Sequence, residues 1–369
     1  MQSTFPTIAV SPAQTWKKKF TIVARFGDIR FRRQRLRNTL TSKTLTPSAI
    51  LWGTSQKRHL TASVRESACE ASQSVSYRKA ARQLAGEAGV EQLLSHTTVW
   101  NKKQEKGKEL AQQQDVFVQQ VLAKQEVLPP CGVPSEEGKC RIEHDTIQIQ
   151  MDEVKTRSQE EDKKWNLTYT ATLATPDNRC HYFAAASSEQ LIQLVVVHLI
   201  VLGLSLHKRL EVVSDGARWI SDWVGSLQDA AVEQVLCWYH LQKRVYEGLG
   251  ALGFAKERRK LLEQEILGHL WCGRTAEAVW LLWGLRSSAR VPKRIDDLMG
   301  YLLRKYRIIV NYEERRSRGL WLASTRVEKW NDTAVADRCK HNGTSWTSSG
   351  VLAVALYAAK QKQKLHTTN

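Results

Sequence analysis

Several local signatures of catalysis are missing from this 369-residue chain. There is no P-loop and no Gly-x-Ser-x-Gly elbow, and no dinucleotide-binding Gly-x-Gly-x-x-Gly turn is recognised. Nucleoside triphosphatase, serine hydrolase and dinucleotide chemistry therefore lack their local geometry. Disulfide-framework cysteines are also missing: the seven present are odd in number and spread from Cys69 to Cys339, which fits a reducing cytoplasm. The longest apolar run, Leu191 to Leu204, is interrupted by Gln193 and His198 and is too short to span a bilayer. No leader is expected either, because the amino end runs into Trp16-Lys17-Lys18-Lys19 without an adequate apolar stretch before it. No internal repeat is evident.

What the chain has in excess is positive charge. The net charge is +18, and residues 1–110 hold 20 Lys and Arg against 7 Asp and Glu. A basic front end without an amphipathic anchor points to nucleic acid rather than membrane. From Phe20 to Arg37, apolar positions interleave with Arg25, Arg30, Arg32, Arg33, Arg35 and Arg37. Phe26-Gly27-Asp28-Ile29 reads as the turn of a basic hairpin, preceded by a loose arm over 1–20. Arg30, Arg32, Arg33 and Arg35 are the candidate phosphate contacts, since guanidinium forks match phosphate oxygens; a solvated charged edge is the plain alternative.

Residues 38–60 read as a connector, and helical periodicity begins near Ala62. Tyr77–Ala85 and the segment from Leu94 form two helices around a glycine-containing turn, with Ser95 able to cap the second. This is a helix-turn-helix pattern whose second helix offers Thr98, Asn101, Lys102 and Lys103 to DNA; a plain helical hairpin would look similar. The polar helix continues over 104–127. The tandem Pro129-Pro130 opens a linker over 128–140, where Cys131 and Cys140 lack the neighbours a zinc site needs.

Beyond the linker, Thr146–Met151 alternates as a strand ending at Asp152-Glu153. Leu167–Leu173 and His181–Phe183 form two more strands, with Pro176-Asp177-Asn178 turning the chain between them. An apolar helix follows from Ser188, then a strand at Leu210–Ser214, a helix beyond Asp215, a strand at Val232–Cys237, and a helix from Trp238. The order β-β-β-α-β-α-β-α with a mixed sheet is the ribonuclease H-like arrangement. Residues from about Gly250 to Arg318 are helical, with Trp271, Trp280 and Trp283 expected in their core. A helix begins near Thr325, and a short alanine-rich helix closes the chain.

In such a sheet Asp152 and Asp215 end neighbouring strands, and Glu328 lies on a helix packed across them. Three carboxylates there would hold two Mg²⁺ ions, with Mn²⁺ as a substitute, for in-line displacement at phosphorus. Each acid has a plainer reading: strand-end turn for Asp152, helix N-cap for Asp215, solvated acid for Glu328. Glu153 competes for the first position, although alternation puts it on the face of Ile147, Ile149 and Met151.

The set Asp152-Glu153-Val154-Lys155, Ser214-Asp215-Gly216-Ala217-Arg218-Trp219, Cys237-Trp238-Tyr239-His240 and Val327-Glu328-Lys329-x-Asn331-Asp332 resembles bacterial insertion-sequence transposases of the Mutator-like DDE superfamily. The closing Arg338–Trp346 stretch looks like the tail that follows the glutamate in that family. Cys-x-x-His after the second aspartate is the most specific mark, and the resemblance covers about residues 60–360. It implies Asp152, Asp215 and Glu328 as catalytic, metal-holding acids, with His240 and Cys237 as accessory residues. His240 would contact a phosphate or orient a metal-bound water, whereas Cys237 reads as packing. Trp238 or Tyr239 could stack on an unpaired base or pack in the core.

The residues themselves divide the front of the chain into a basic arm with a possible hairpin over 1–60 and a helix-turn-helix-type DNA-binding region over 61–127. The resemblance implies a catalytic core beginning at 141–249, an all-helical insertion over 250–318, and the last helix and tail over 319–369. Double-stranded DNA is the implied partner, with a homo-oligomer on it, no membrane, and a location in the bacterial cytoplasm at the nucleoid. The cysteine-bearing amino-terminal segments common in such proteins are missing. A nuclease without strand transfer, and an inactive relic that only binds DNA, are the other readings.

Overall fold

The computed structural model describes residues 13–38, 44–46, 58–125, 146–176, 179–202, 209–227, 232–250, 252–340 and 344–367. The expected linker over 128–140, and Asp177 and Asn178 of the expected turn, lie outside the described residues. The architecture is mixed α/β, in two compact units spanning 1–106 and 107–369. No helix among the described residues is long and apolar enough to cross a membrane.

In the first unit the basic alternation forms a hairpin. Strands β1 (Ala13–Ala24) and β2 (Gly27–Asn38) pair antiparallel, so residues 13–20 belong to a strand rather than to a loose arm. The turn is Arg25-Phe26, one position earlier than the sequence suggests, with Gly27 at φ 118°. Short strands β3 (Thr44–Leu45) and β4 (Arg58–Leu60) flank the pair in the order β3-β2-β1-β4. Helices α1 (Ala62–Ala71), α2 (Tyr77–Glu87) and α3 (His96–Gln125) follow. Their first turns are capped by Thr61, Ser76 and Ser95, whose hydroxyls accept from the backbone N–H three residues on. Val64, Ala68, Ala80, Leu84, Leu94 and Val99 meet Val23 in a small core.

The second unit is built on strands β5 (Ile147–Arg157), β6 (Trp165–Ala174), β7 (Cys180–Ala185), β8 (Leu210–Ser214) and β9 (Val232–Leu236). Their order is β7-β6-β5-β8-β9. The first three are antiparallel neighbours, whereas β5–β8 and β8–β9 are parallel. Alternation divides the sheet into two unlike faces. Ile147, Ile149, Met151, Leu210 and Val212 face one core, shared with α4 (Ser188–Val201) and with Ile220 and Trp223 of α5 (Arg218–Ser226). The opposite positions of β5 and β8 are Gln148, Gln150, Glu211 and Val213, mostly polar although buried.

Helix α6 (Trp238–Leu249) leaves β9 and opens a helical block of α7 (Lys256–Trp271), α8 (Thr275–Leu285), α9 (Pro292–Lys305) and α10 (Tyr312–Ser317). Trp271 packs in it, its ring 4.9 Å from Trp238 and 6.0 Å from Tyr312. Trp280 and Trp283 do not: they are 69% and 60% exposed and stack on each other at 5.4 Å. The pair points outward because α8 buries Thr275, Ala278 and Leu282 instead. The chain then returns through α11 (Thr325–Asn331), a π-helical turn (Asp332–Ala336) and α12 (Asp337–Cys339) to α13 (Ser348–Thr367). That last helix is 20 residues long rather than short, and its alanine face is buried.

Candidate active site

Strand register builds the site. Gln150 pairs with Val213 and Val213 with Val235. Counting two residues along each strand reaches Asp152, Asp215 and Cys237, which are therefore in register: Asp152 within β5, two residues past its last pair with β8, and Asp215 and Cys237 just beyond the ends of β8 and β9. The strand carrying Asp152 does not stop there, as the sequence suggests. It runs on to Arg157, paired with β6, and only its parallel pairing with β8 ends at Gln150. Glu153 falls on the other face, where it pairs with Lys155 at 3.2 Å.

Asp152 is held at both oxygens. Oδ1 accepts from the Glu153 backbone at 2.8 Å and Oδ2 from the Asn331 amide at 2.7 Å. Burial pushes its carboxyl up to about 6; the charges of Asp215 and Glu328 add to this, while the Glu153 N–H and His240 oppose it. Asp215 Oδ1 accepts from Ala217 N at 2.8 Å across Gly216, which has φ 78°. This is a turn bond ahead of α5, whose own N-cap, Ala217, has no side-chain cap. Gly216 is required twice over, because a Cβ would also meet Leu236, Ile308 and Lys305 at 3.0–3.3 Å. Lys305, at the end of α9, donates to the Gly216 carbonyl and so ties the helical block to this turn.

Glu328 reaches the strand ends because Gln150 docks its helix. Gln150 Oε1 accepts from Arg326 N and Val327 N at 3.0 and 3.1 Å, satisfying N–H groups that the first turn of α11 leaves unpaired. The segment before α11 is bonded to the start of α6: Trp238 N donates to Leu322 O at 2.9 Å, and Ser324 N to Cys237 Sγ at 3.3 Å. Ser324 Oγ donates to Glu328 Oε1 at 2.8 Å. His240 Nδ1 lies 3.7 Å from the same oxygen, and Cys237 Sγ lies 3.9 Å from it. The neighbouring Cys237 sulfur is the largest cause raising the His240 pKa; burial opposes it, and Glu328 and Asp215 add to it. Burial would raise the Cys237 thiol, but the neighbouring His240 ring and the Ser324 N–H bring it below its ordinary value. Cys237 is thus buried, as expected of packing, yet its sulfur faces the acids. Trp238 packs on Trp271 and Tyr312, while Tyr239 is exposed.

Below the acids, Arg315 is buried between Glu211 at 3.1 Å and Glu233 at 2.7 Å, and Arg209 also pairs with Glu233. The sequence reading assigned no role to Asn331, Ser324, Gln150 or Arg315. Asn331 alone carried a usable signal, since it lies three residues after Glu328 and so shares its helix face. One spacing also escaped that reading: Gly248-Leu249-Gly250-Ala251-Leu252-Gly253 matches Gly-x-Gly-x-x-Gly. It follows a helix rather than a strand, with Gly250 capping α6, so it does not form a dinucleotide turn.

The candidate DNA contacts are separated by the same alternation. Arg30 and Arg32 are exposed, but Arg33, of opposite parity, is buried with its guanidinium 3.9 Å from the Phe20 ring centre. Arg35 is half-buried and donates to Thr46 Oγ1 at 3.2 Å. On α3, Asn101 is exposed beside Thr97 and Trp100, and Lys102 pairs with Glu105 at 2.6 Å. Thr98 is bonded to the capping Ser95 hydroxyl at 2.8 Å. Lys103 is fully buried, and its ammonium donates to Cys69 O at 2.9 Å and Gln73 Oε1 at 2.5 Å. It is a core residue and not a surface contact, because a helix of period 3.6 turns it inward with Val99.

The profile of an uncharacterised protein family, UPF0236, matches residues 14–128, which is less than half of the chain. No curated protein matches. Among solved structures, the Drosophila P element transposase strand transfer complex aligns over 87% of this chain and 84% of its own at 11% identity. The TM-score is 0.28, too low to define a shared fold.

Proposed function

We propose that the chain is a DNA transposase that cuts and joins strands with Asp152, Asp215 and Glu328 around Mg²⁺ or Mn²⁺. The observation that carries this reading is geometric: Asp152 and Asp215 lie in register on neighbouring strands, and Gln150 docks the helix that brings Glu328 to them. The element order and the β7-β6-β5-β8-β9 sheet agree with a ribonuclease H-like core, interrupted by a helical insertion between α6 and α11.

The donor set suits a hard divalent cation, which would offset the burial and the neighbouring charges that raise Asp152. Bound there, Mg²⁺ would supply charge neutralisation to the attacking and leaving oxygens of an in-line displacement at phosphorus. The chain's own residues fix the geometry. Asn331 and the Glu153 N–H aim Asp152, the Gly216 turn aims Asp215, and Ser324 with Gln150 aims Glu328. His240, drawn toward its protonated form, supplies positive charge beside the acids for a phosphate oxygen.

In the first unit the exposed Arg30 and Arg32, and the Thr97-Trp100-Asn101 stripe of α3, are the proposed contacts to double-stranded DNA. The helix-turn-helix reading rests on α2 and α3. Cutting two element ends calls for at least two copies, so a homo-oligomer on DNA belongs to this proposal.

The test pairs purified full chain with duplexes from the DNA flanking its gene, a pre-cut end and a target plasmid. Mg²⁺-dependent cleavage and strand transfer are expected, and both should vanish in Asp215→Asn while folding is retained. Retained cleavage in that variant would remove Asp215 from the site, and cleavage without joining would reduce the protein to a nuclease.

A further inference from the structure

Magnesium has little use for a sulfur ligand, yet a cysteine sulfur and an imidazole border the acid cluster. Cys237 Sγ, a His240 ring nitrogen and a Glu328 carboxylate oxygen all lie within 4.8 Å of one another. The sulfur–oxygen separation is 3.9 Å and the nitrogen–oxygen separation 3.7 Å. Around a tetrahedral zinc, with Zn–S about 2.3 Å and Zn–N or Zn–O about 2.0 Å, such pairs sit roughly 3.3–3.5 Å apart. The two pairs to Glu328 would close by about half an ångström, and the cysteine–histidine pair, within 4.8 Å, by up to about 1.3 Å, for the three donors to share one ion. His240 Nδ1 is also buried without a hydrogen-bond partner, a state that a bound cation would relieve.

We propose that Cys237, His240 and Glu328 form a site for one thiophilic divalent cation of the Zn²⁺ class. The two-Mg²⁺ reading gives the sulfur no role and uses the imidazole only as a nearby charge, and this site does not depend on that reading, although both use Glu328. The side chains of His240 and Glu328 are 31% and 32% exposed, so a fourth coordination position opens toward solvent. Ser324 orients two of the three ligands, donating from its backbone to Cys237 Sγ and from its hydroxyl to Glu328. The ligands come from two segments, the β9–α6 junction and α11, so the ion clips the returning helix to the strand end. Loading releases the thiol proton of Cys237, and any proton on His240 Nδ1, to solvent. A soft ion seated here takes Glu328 away from the other acids, which makes Zn²⁺ an antagonist of Mg²⁺ at the shared carboxylate.

The test is spectroscopic. The full chain, stripped with a chelator that is then removed, is titrated with Co²⁺. The expected result is one equivalent bound with a thiolate-to-cobalt charge-transfer band in the near ultraviolet, displaced by one equivalent of Zn²⁺. The band should disappear in folded Cys237→Ser and survive when Cys131, Cys140 and Cys272 are together replaced by serine. It should also survive in Asp215→Asn, which separates this proposal from the fate of the DDE reading. A band missing at saturating Co²⁺, or one that persists in folded Cys237→Ser, overturns the site. If Cys237→Ser does not fold, His240→Ala decides: affinity weakened about tenfold or more supports the site, and unchanged affinity overturns it.

Discussion

Asn331 lies between two strands' worth of polar groups: its amide donates to Asp152 Oδ2 at 2.7 Å, and its carbonyl accepts from Thr170 Oγ1 at 2.5 Å. Thr170 is the β6 residue paired with Asp152, so one side chain from α11 fixes both members of a cross-strand pair. Asn331→Leu keeps the branched heavy-atom skeleton but removes both bonds. A hydrogen bond to a charged group contributes about 1.5–3 kcal/mol, so Mg²⁺-dependent cleavage should slow roughly 10–100-fold. Single-turnover rates on duplex DNA, with circular dichroism as a fold control, measure this. Unchanged rates would leave Asn331 with a packing role only.

The raised pKa of Asp152 has a defined sign for stability. A carboxyl whose folded pKa lies above its unfolded value contributes stability below the unfolded pKa, near 4, and loses it as pH rises through about 6. Burial is the main cause; the charges of Asp215 and Glu328 add to it, and the Glu153 N–H and His240 oppose it. Metal-free protein should therefore lose stability between about pH 4 and 6 at this site. Asp152→Asn should raise the melting temperature of metal-free chain at pH 7, and the gain should vanish near pH 4. Thermal melts of both proteins across that range check the prediction, and a gain that grows toward low pH would contradict it.

Arg315 supports the site from beneath. Its side chain is 5% exposed, and its partner Glu211 is 2% exposed. Arg315→Met leaves Glu211 buried and ionised without a counter-charge, the kind of change that costs about 3–5 kcal/mol. Urea unfolding should show a matching fall in midpoint. Replacing Glu211 by Gln in the same chain should recover part of the loss, because the orphaned charge goes with it.

Periodicity carried most of the strand and helix reading. Alternation in β5 separated Asp152 from Glu153, and five strands with their helices were legible in order. Long-range relations were not. Nothing local says that Gln150 will dock α11, or that the Cys237 sulfur will face Glu328, since both depend on contacts more than 80 residues apart in sequence. Side-chain orientation on helices is a separate, local matter of which face each residue occupies. Basic residue type suggests a surface role for Lys103, but its helical position beside Val99 places it inside. Residue type likewise suggests a core role for Trp280 and Trp283, but they lie on the face of α8 opposite the one that is buried. The strand around Asp152 was cut short because its outer half is polar, whereas pairing with β6 extends it to Arg157.

Exposure of the basic residues in the first unit makes a prediction about salt. Each phosphate contact removed should lower the slope of log affinity against log salt by about 1. Arg30→Ala with Arg32→Ala should therefore weaken duplex DNA binding uniformly across sequences and reduce the slope by about 2. Lys103→Ala should behave differently. Its ammonium holds Cys69 O and Gln73 inside the unit, so its loss should lower the melting temperature and leave the slope unchanged. Fluorescence anisotropy at several salt concentrations, paired with thermal melts, separates the two. A salt slope that fell in stable Lys103→Ala would mean that the lysine reaches DNA after all, and an unchanged slope in the arginine pair would take the hairpin out of the DNA interface.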